Sequence, residues 1–188
     1  MSLLFVNACM RENSRTERLA RMVLDSHSYG MEKDAVELRI SDLAIEPLDR
    51  GLLATYSAAV SQATFGHPMF EYGKQFAAAD KILITAPFWN YSVPAKLHDY
   101  LELVCSQGVT FDVGSSGEYI SLCKAKSLVF VTTSGGVIGD ASDDHAFGYV
   151  RTLARRFWHI PQVECIMAQG LDAPGANVDA LLVAASRG

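Results

Sequence analysis

The sequence predicts an α/β fold: a doubly wound, five-stranded parallel sheet in the order 2-1-3-4-5, with helices on both faces. Three observations lead there. Short apolar runs with β-branched residues recur at Leu3–Val6, Ala35–Ile40, Lys81–Ala86, Leu128–Val131 and Val163–Ala168. Segments with apolar residues at helical spacing separate them, and strands alternating with helices make a parallel sheet covered on both sides. Polar, aromatic or small-residue loops follow the first, third and fourth runs. Those strands are neighbours in this order, and open α/β sheets bind ligands at the carboxyl ends of strands where the order reverses.

Composition narrows the class. The 188 residues suit one domain spanning 1–188. With 49% hydrophobic and 20% charged residues the chain reads as an ordinary globular protein able to bury a sizeable core. A net charge of −5 argues against nucleic acid and anionic membrane surfaces as partners. Cys9, Cys105, Cys123 and Cys165 form no CxxC pair and match no zinc spacing. Free thiols in a reducing cytoplasm are expected. Leu3–Val6 is too short for a signal h-region and Arg11 follows it closely, so no leader and no membrane span are expected.

Taken in order, Leu3–Val6 is a continuous apolar run, the mark of a strand buried on both faces. Leu19, Ala20, Met22 and Val23 then recur at helical spacing, predicting a helix from about Arg15 to His27. Asn13 or Ser14 suits its N-cap, and Glu17 stands three residues after Ser14 as in a capping box. Ala35–Ile40 alternates in part and reads as the second strand. Residues 43–70, with Pro47, Gly51, Gly66 and Pro68, read as a crossover carrying an insertion, with helices at Leu52–Ala63 and Phe70–Ala79. Lys81–Ala86 is the third strand. Leu97, Tyr100, Leu101 and Val104 then mark a helix from about Pro94 to Cys105. Gly114 and Gly117 suggest a short hairpin returning through Tyr119 and Ile120. Leu128–Val131 is the fourth strand, His145–Trp158 a helix, Val163–Ala168 the last strand and Asn177–Ser186 the last helix.

Three loops carry the candidate chemistry. Asn7–Thr16 opens a helix, so its hydroxyls, backbone N–H groups and helix dipole can hold an anion. Arg11 and Arg15 add charge-assisted donors, beside Ser14 and Thr16. Pro87–Pro94 offers Phe88, Trp89 and Tyr91 as walls for a flat ring and Asn90 for its edge, with Pro87 stiffening the entry. Thr133, Ser134, Gly135 and Gly136 offer backbone amides that a ring can approach. A phosphate at one end and a flat ring at the other fit a mononucleotide, and FMN best. Each loop also has a plainer reading: aromatics packed on the core, Ser14 or Thr16 as a helix cap, Gly135-Gly136 as a turn, and Asp143 or Asp144 as the cap of the next helix. No GxGxxG, GxxxxGK[ST] or GxSxG pattern is present; the five histidines are scattered and none forms HExxH or another compact ligand pair, so no metal site is expected.

The stretch Ala86-Pro87-Phe88-Trp89-Asn90-Tyr91-Ser92-Val93-Pro94-Ala95-Lys96-Leu97, followed by Gly108-Val109-Thr110-Phe111, resembles flavodoxin-like NAD(P)H:quinone reductases, particularly the FMN-dependent NADH azoreductases. Ser14-Arg15-Thr16 resembles that family's phosphate loop, and Thr133-Ser134-Gly135-Gly136 its third loop, with Ser134 where many members carry Arg. The resemblance implies an FMN enzyme taking hydride from NADH or NADPH and passing it to a quinone, azo compound or related small aromatic acceptor by a ping-pong mechanism. It implies no protein catalytic residue and a homodimer. Apolar residues between Leu52 and Phe76 suit either its interface or the core. The alternative on the same fold is an electron carrier or flavin-binding sensor without NAD(P)H turnover.

Overall fold

The computed structural model describes residues 2–26 and 35–187. In chain order its elements are β1 (Leu3–Asn7), α1 (Arg15–Ser26), β2 (Val36–Arg39), α2 (Arg50–Gln62), α3 (Glu71–Ala78), β3 (Lys81–Thr85), α4 (Ala95–Val104), β4 (Phe111–Val113), β5 (Tyr119–Ser121), β6 (Ser127–Thr133), α5 (His145–Arg156), β7 (Gln162–Ala168) and α6 (Val178–Ser186). The five long-range strands pair in parallel as β2-β1-β3-β6-β7, the expected 2-1-3-4-5 order. The hairpin β4–β5 stands apart as a two-stranded antiparallel sheet. The expected end of the first helix at His27 lies outside the described residues.

Side-chain alternation along the central strands divides the core in two. Leu4, Val6, Ile82, Ile84, Leu128 and Phe130 project to one face, where Leu97, Tyr100, Leu101, Val150 and Trp158 cover them. Leu3, Phe5, Leu83, Val129 and Val131 project to the other, against Leu19, Ala20 and Val23 of α1 and Leu182 of α6. Fully burying each large apolar side chain contributes about 1.5–3 kcal/mol, and that explains why these strands read as unbroken apolar runs. The second strand is shorter than expected, because Ile40 leaves the sheet in a 3-10 turn that buries its side chain.

Two motifs take structural roles. Ser14 caps α1 by accepting the Glu17 N–H at 3.3 Å. The reciprocal half of the capping box does not form. Glu17 instead accepts from Arg39 at 2.6 Å and Arg21 at 3.0 Å, and these charge-assisted bonds outcompete a neutral amide. In the Gly108–Phe111 stretch the Thr110 hydroxyl donates to the Val104 carbonyl at 2.6 Å, closing the end of α4. Gly108 has φ 78°, and the Phe65 ring fills the place its Cβ would take.

Arg39 and Arg21 hold the Glu17 carboxyl down at about 2, from an ordinary value of 4.5. A lowered carboxyl stabilises the fold fully above its unfolded value and loses that contribution as pH falls through the folded one. Wild-type stability should therefore fall between about pH 4.5 and 2, by at most roughly 3 kcal/mol from this group. In chemical denaturation across that range, Glu17→Gln should be less stable at neutral pH and flatter toward acid. An unchanged slope would place the acid sensitivity elsewhere.

A candidate binding site at the carboxyl edge of the sheet

The loops after β1, β3 and β6 meet, and they leave two adjoining hollows. One, of about 300 Å³, is lined by Met10 to Thr16, by Pro87, Phe88 and Trp89, and by Thr133, Gly135 and Asp172. The other, of about 330 Å³, is lined by Phe88, Asn90 and Tyr91, by Ser134 to Gly139, and by Asp143. They share Phe88 and Gly135, and each falls in the size range of small-molecule sites. The site residues expected from the sequence thus lie together.

The first hollow is a donor cradle. Among the described residues, no backbone N–H from Met10 through Thr16 meets a protein acceptor. Those N–H groups lead into the amino terminus of α1, where the helix dipole adds positive potential. Thr16 is buried, and its hydroxyl lies 2.6 Å from that of Thr133, tying the first loop to the third. Arg11 is exposed, with its guanidinium 5.5 Å from the centre of the Trp89 ring. Arg15 donates to the Asp172 carboxylate at 2.8 Å and to the Leu171 carbonyl at 3.1 Å.

The second hollow has an aromatic wall made by an unusual turn. Trp89 and Ser92 exchange N–H···O bonds of 2.9 Å, and between them Asn90 has φ 51° and Tyr91 φ 62°. Positive φ at both central residues marks a type I′ turn. Asn tolerates it, but for tyrosine the left-handed region costs about 1–2 kcal/mol. The Tyr91 carbonyl is fixed by the His145 N–H at 3.1 Å, and its ring meets Phe88 edge-on at 5.9 Å. Tyr91 is 57% exposed and Val137 75% exposed, two large apolar groups beside one hollow. The N–H groups of Asn90, Gly135 and Gly136 find no acceptor among the described residues. The buried Ser134 turns away from solvent, its hydroxyl donating to the Gly136 carbonyl at 2.6 Å.

Asp144 caps α5, accepting from Ala146 and Phe147. Cys9 is buried at the end of β1, and burial pushes its thiol up. Burial likewise pushes Cys105, Cys123 and Cys165 up to about 12, so thiolate chemistry has no candidate among them. No group of acidic, histidine or cysteine side chains suited to a metal occurs among the described residues, and none of their helices is long and apolar enough to cross a membrane.

Sequence reasoning missed Asp172 and the Val137–Gly139 segment. Asp172 follows β7, and the carboxyl-edge rule would have found it if extended to the last strand. Val137–Gly139 carries no motif; the Gln169 side chain fixes it by accepting the Ile138 N–H at 2.7 Å.

Replacing Thr133 by Val should leave the buried Thr16 hydroxyl unpaired and cost about 1–3 kcal/mol. Thr16→Val combined with Thr133→Val should cost less than the sum of the two single changes. Additive losses in denaturant titrations would mean the hydroxyl pair is not a shared bond.

Known proteins resemble this chain along nearly its whole length. An FMN-dependent NADH:quinone oxidoreductase of Clostridium beijerinckii is 30% identical over 179 residues, covering 94% of this chain and 88% of that protein. A protein of the same name from Coprothermobacter proteolyticus is 30% identical over 182 residues, covering 94% and 90%. An azoreductase structure from Bacillus anthracis superposes with a TM-score of 0.83 at 21% identity, over 100% of this chain and 95% of that one. An FMN-dependent NADH-azoreductase from the same species, solved in complex with FMN, gives 0.81 at 18% identity, over 100% and 95%. Residues 1–187 match the Flavodoxin_2 family, described as a flavodoxin-like fold, and the chain belongs to that family.

Proposed function

We propose that this chain is an FMN-dependent oxidoreductase. It takes hydride from NADH or NADPH and reduces quinones, azo compounds or related aromatic acceptors, with residues 1–188 acting as one FMN-binding domain. The observation that carries the reading is the pair of hollows sharing Phe88 and Gly135, one lined by unpartnered N–H groups and the other by exposed aromatic and apolar side chains. That is the chemistry of a phosphorylated chain attached to a flat ring. The names of the clostridial relative and of the FMN-bound neighbour support it.

In this reading the Met10–Thr16 amides, Ser14, Arg11 and Arg15 hold the phosphate. Thr16 and Thr133 fix the cradle, and Ser134 shapes the third loop. Pro87, Phe88, Trp89 and Tyr91 wall the ring, while Asn90 meets its edge. FMN, when bound, supplies the hydride chemistry itself. The chain's part is to orient the ring, exclude water behind it and direct the N–H groups of Asn90, Gly135 and Gly136 toward developing negative charge, as preorganised donors do. No side chain is required as acid or base. The opening beside Tyr91 and Val137 serves donor and acceptor in turn, which makes the kinetics ping-pong. The reading places the protein in the cytoplasm as a homodimer, with Leu53, 53% exposed on α2, available to the contact.

Purified protein should be yellow and release FMN on denaturation, as chromatography would establish; release of FAD, or no flavin uptake on reconstitution, would sink the reading. NADH should bleach the bound flavin under argon, whereas a carrier or sensor would stay oxidised. Double-reciprocal plots with NADH and quinone varied together should give parallel lines, and intersecting lines would mean separate sites.

Asn90→Gly keeps the left-handed turn and removes the amide, while Ala would add strain of about 1 kcal/mol. Asn90→Gly should therefore keep the fold, yet weaken FMN binding or slow quinone reduction, because hydride transfer tolerates little misplacement. Wild-type affinity and turnover in this variant would remove the Asn90 side chain, though not its backbone N–H, from the site.

A further inference from the structure

We infer that Asp172 is a positioning residue of the phosphate cradle, a built-in counter-charge that holds Arg15 in place and opposes the phosphate once Arg15 is lost. The inference rests on the FMN reading above. Arg15 opens α1 and Asp172 follows β7, 157 positions away. A single guanidinium nitrogen, Nη1, makes both contacts, to Asp172 Oδ1 at 2.8 Å and to the Leu171 carbonyl at 3.1 Å. The remaining N–H groups of the fork meet no acceptor among the described residues, so Arg15 is fixed by one corner with donors to spare.

Asp172 is held from the other side. Its N–H donates to the Gly135 carbonyl at 2.9 Å, and a Cβ on Gly135 would collide with its carboxylate. Glycine at 135 therefore makes room for the Asp172 carboxylate as well as for a ligand. Asp172 and Arg15 line the same hollow as Ser14 and Thr16. A phosphate on the free amides of the first turn of α1 would lie in the field of both charges. With Arg15 present, its attraction offsets the repulsion from Asp172. Without it, a bare carboxylate faces a dianion. The cost of losing Arg15 must then depend on whether position 172 is charged, and the side chains are 36% and 66% exposed, so the dependence must weaken with salt.

The test is a double-mutant cycle on flavin-free protein, with FMN binding read by quenching of flavin fluorescence. Arg15→Met should weaken FMN roughly 30- to 100-fold in the wild-type background and about tenfold or less in the Asp172→Asn background. Asp172→Asn alone should change the affinity by less than about fivefold, since its two effects oppose one another. The coupling should shrink at about 0.5 M salt. Riboflavin, the same ring without the phosphate, should bind all four proteins equally, and inorganic phosphate should displace FMN least well from Arg15→Met. Arg15→Gln replaces Arg15→Met if the latter does not fold. Equal losses in both backgrounds, or riboflavin affected as much as FMN, would overturn the inference and leave the FMN reading standing. A wild-type protein that takes up neither flavin would overturn both.

Discussion

The backbone donors at the start of α1 are the constraint around which this protein is arranged. A helix leaves its first N–H groups without intrahelical acceptors, and here Ser14 satisfies only that of Glu17. The loop before it adds more donors without a protein partner among the described residues. They are held at the sheet edge because α1 packs on the central strands through the fully buried Leu19, Ala20 and Val23, and because Thr16 is bonded to Thr133. Since β1 lies between β2 and β3, these donors face the ends of β3 and β6, where the aromatic turn and the Gly135-Gly136 loop complete the cavity. A donor-rich helix start, placed centrally in a parallel sheet, dictates where the rest of the candidate site stands.

The sheet was legible because parallel strands are buried on both faces. Leu83 packs on one side and Ile82 and Ile84 on the other, so Lys81–Thr85 admits no polar alternation and stands out as a run. The three loops were legible because they follow such runs. Boundaries were less so. α2 begins at Arg50 rather than Leu52, its Asp49 carboxylate accepting the Leu52 N–H at 2.8 Å, a cap signal present in the sequence. The role of Asp172 was not legible even where the carboxyl-edge rule reaches its loop, since its contacts, Arg15 and Gly135, are not near it in the chain. Nor was the turn at Asn90-Tyr91, because the pair lacks the glycine that usually announces a type I′ turn.

That turn shows how stability and site chemistry are separated in the molecule. The Glu17–Arg39–Arg21–Glu37 network reinforces the edge of the sheet, with contacts of 2.6–3.0 Å between oppositely charged groups. Its charged groups are paired with one another. The site does the reverse: it holds unpaired amides, exposed apolar side chains and a tyrosine in a left-handed conformation. The left-handed Tyr91 is strained, and in the proposed reading a ligand supplies an acceptor for the amides and a surface for the rings. Strain of this kind persists where the surroundings over-determine it. Here the mutual bonds of Trp89 and Ser92 close the turn, and the His145 N–H at the start of α5 fixes the Tyr91 carbonyl. Because α5 is itself anchored through Val150 and Ala154 in the core, the rigid half of the fold supplies what keeps the strained half in place. Relaxing Tyr91 would require α5 to give up that amide, so the ring stays presented to the cavity.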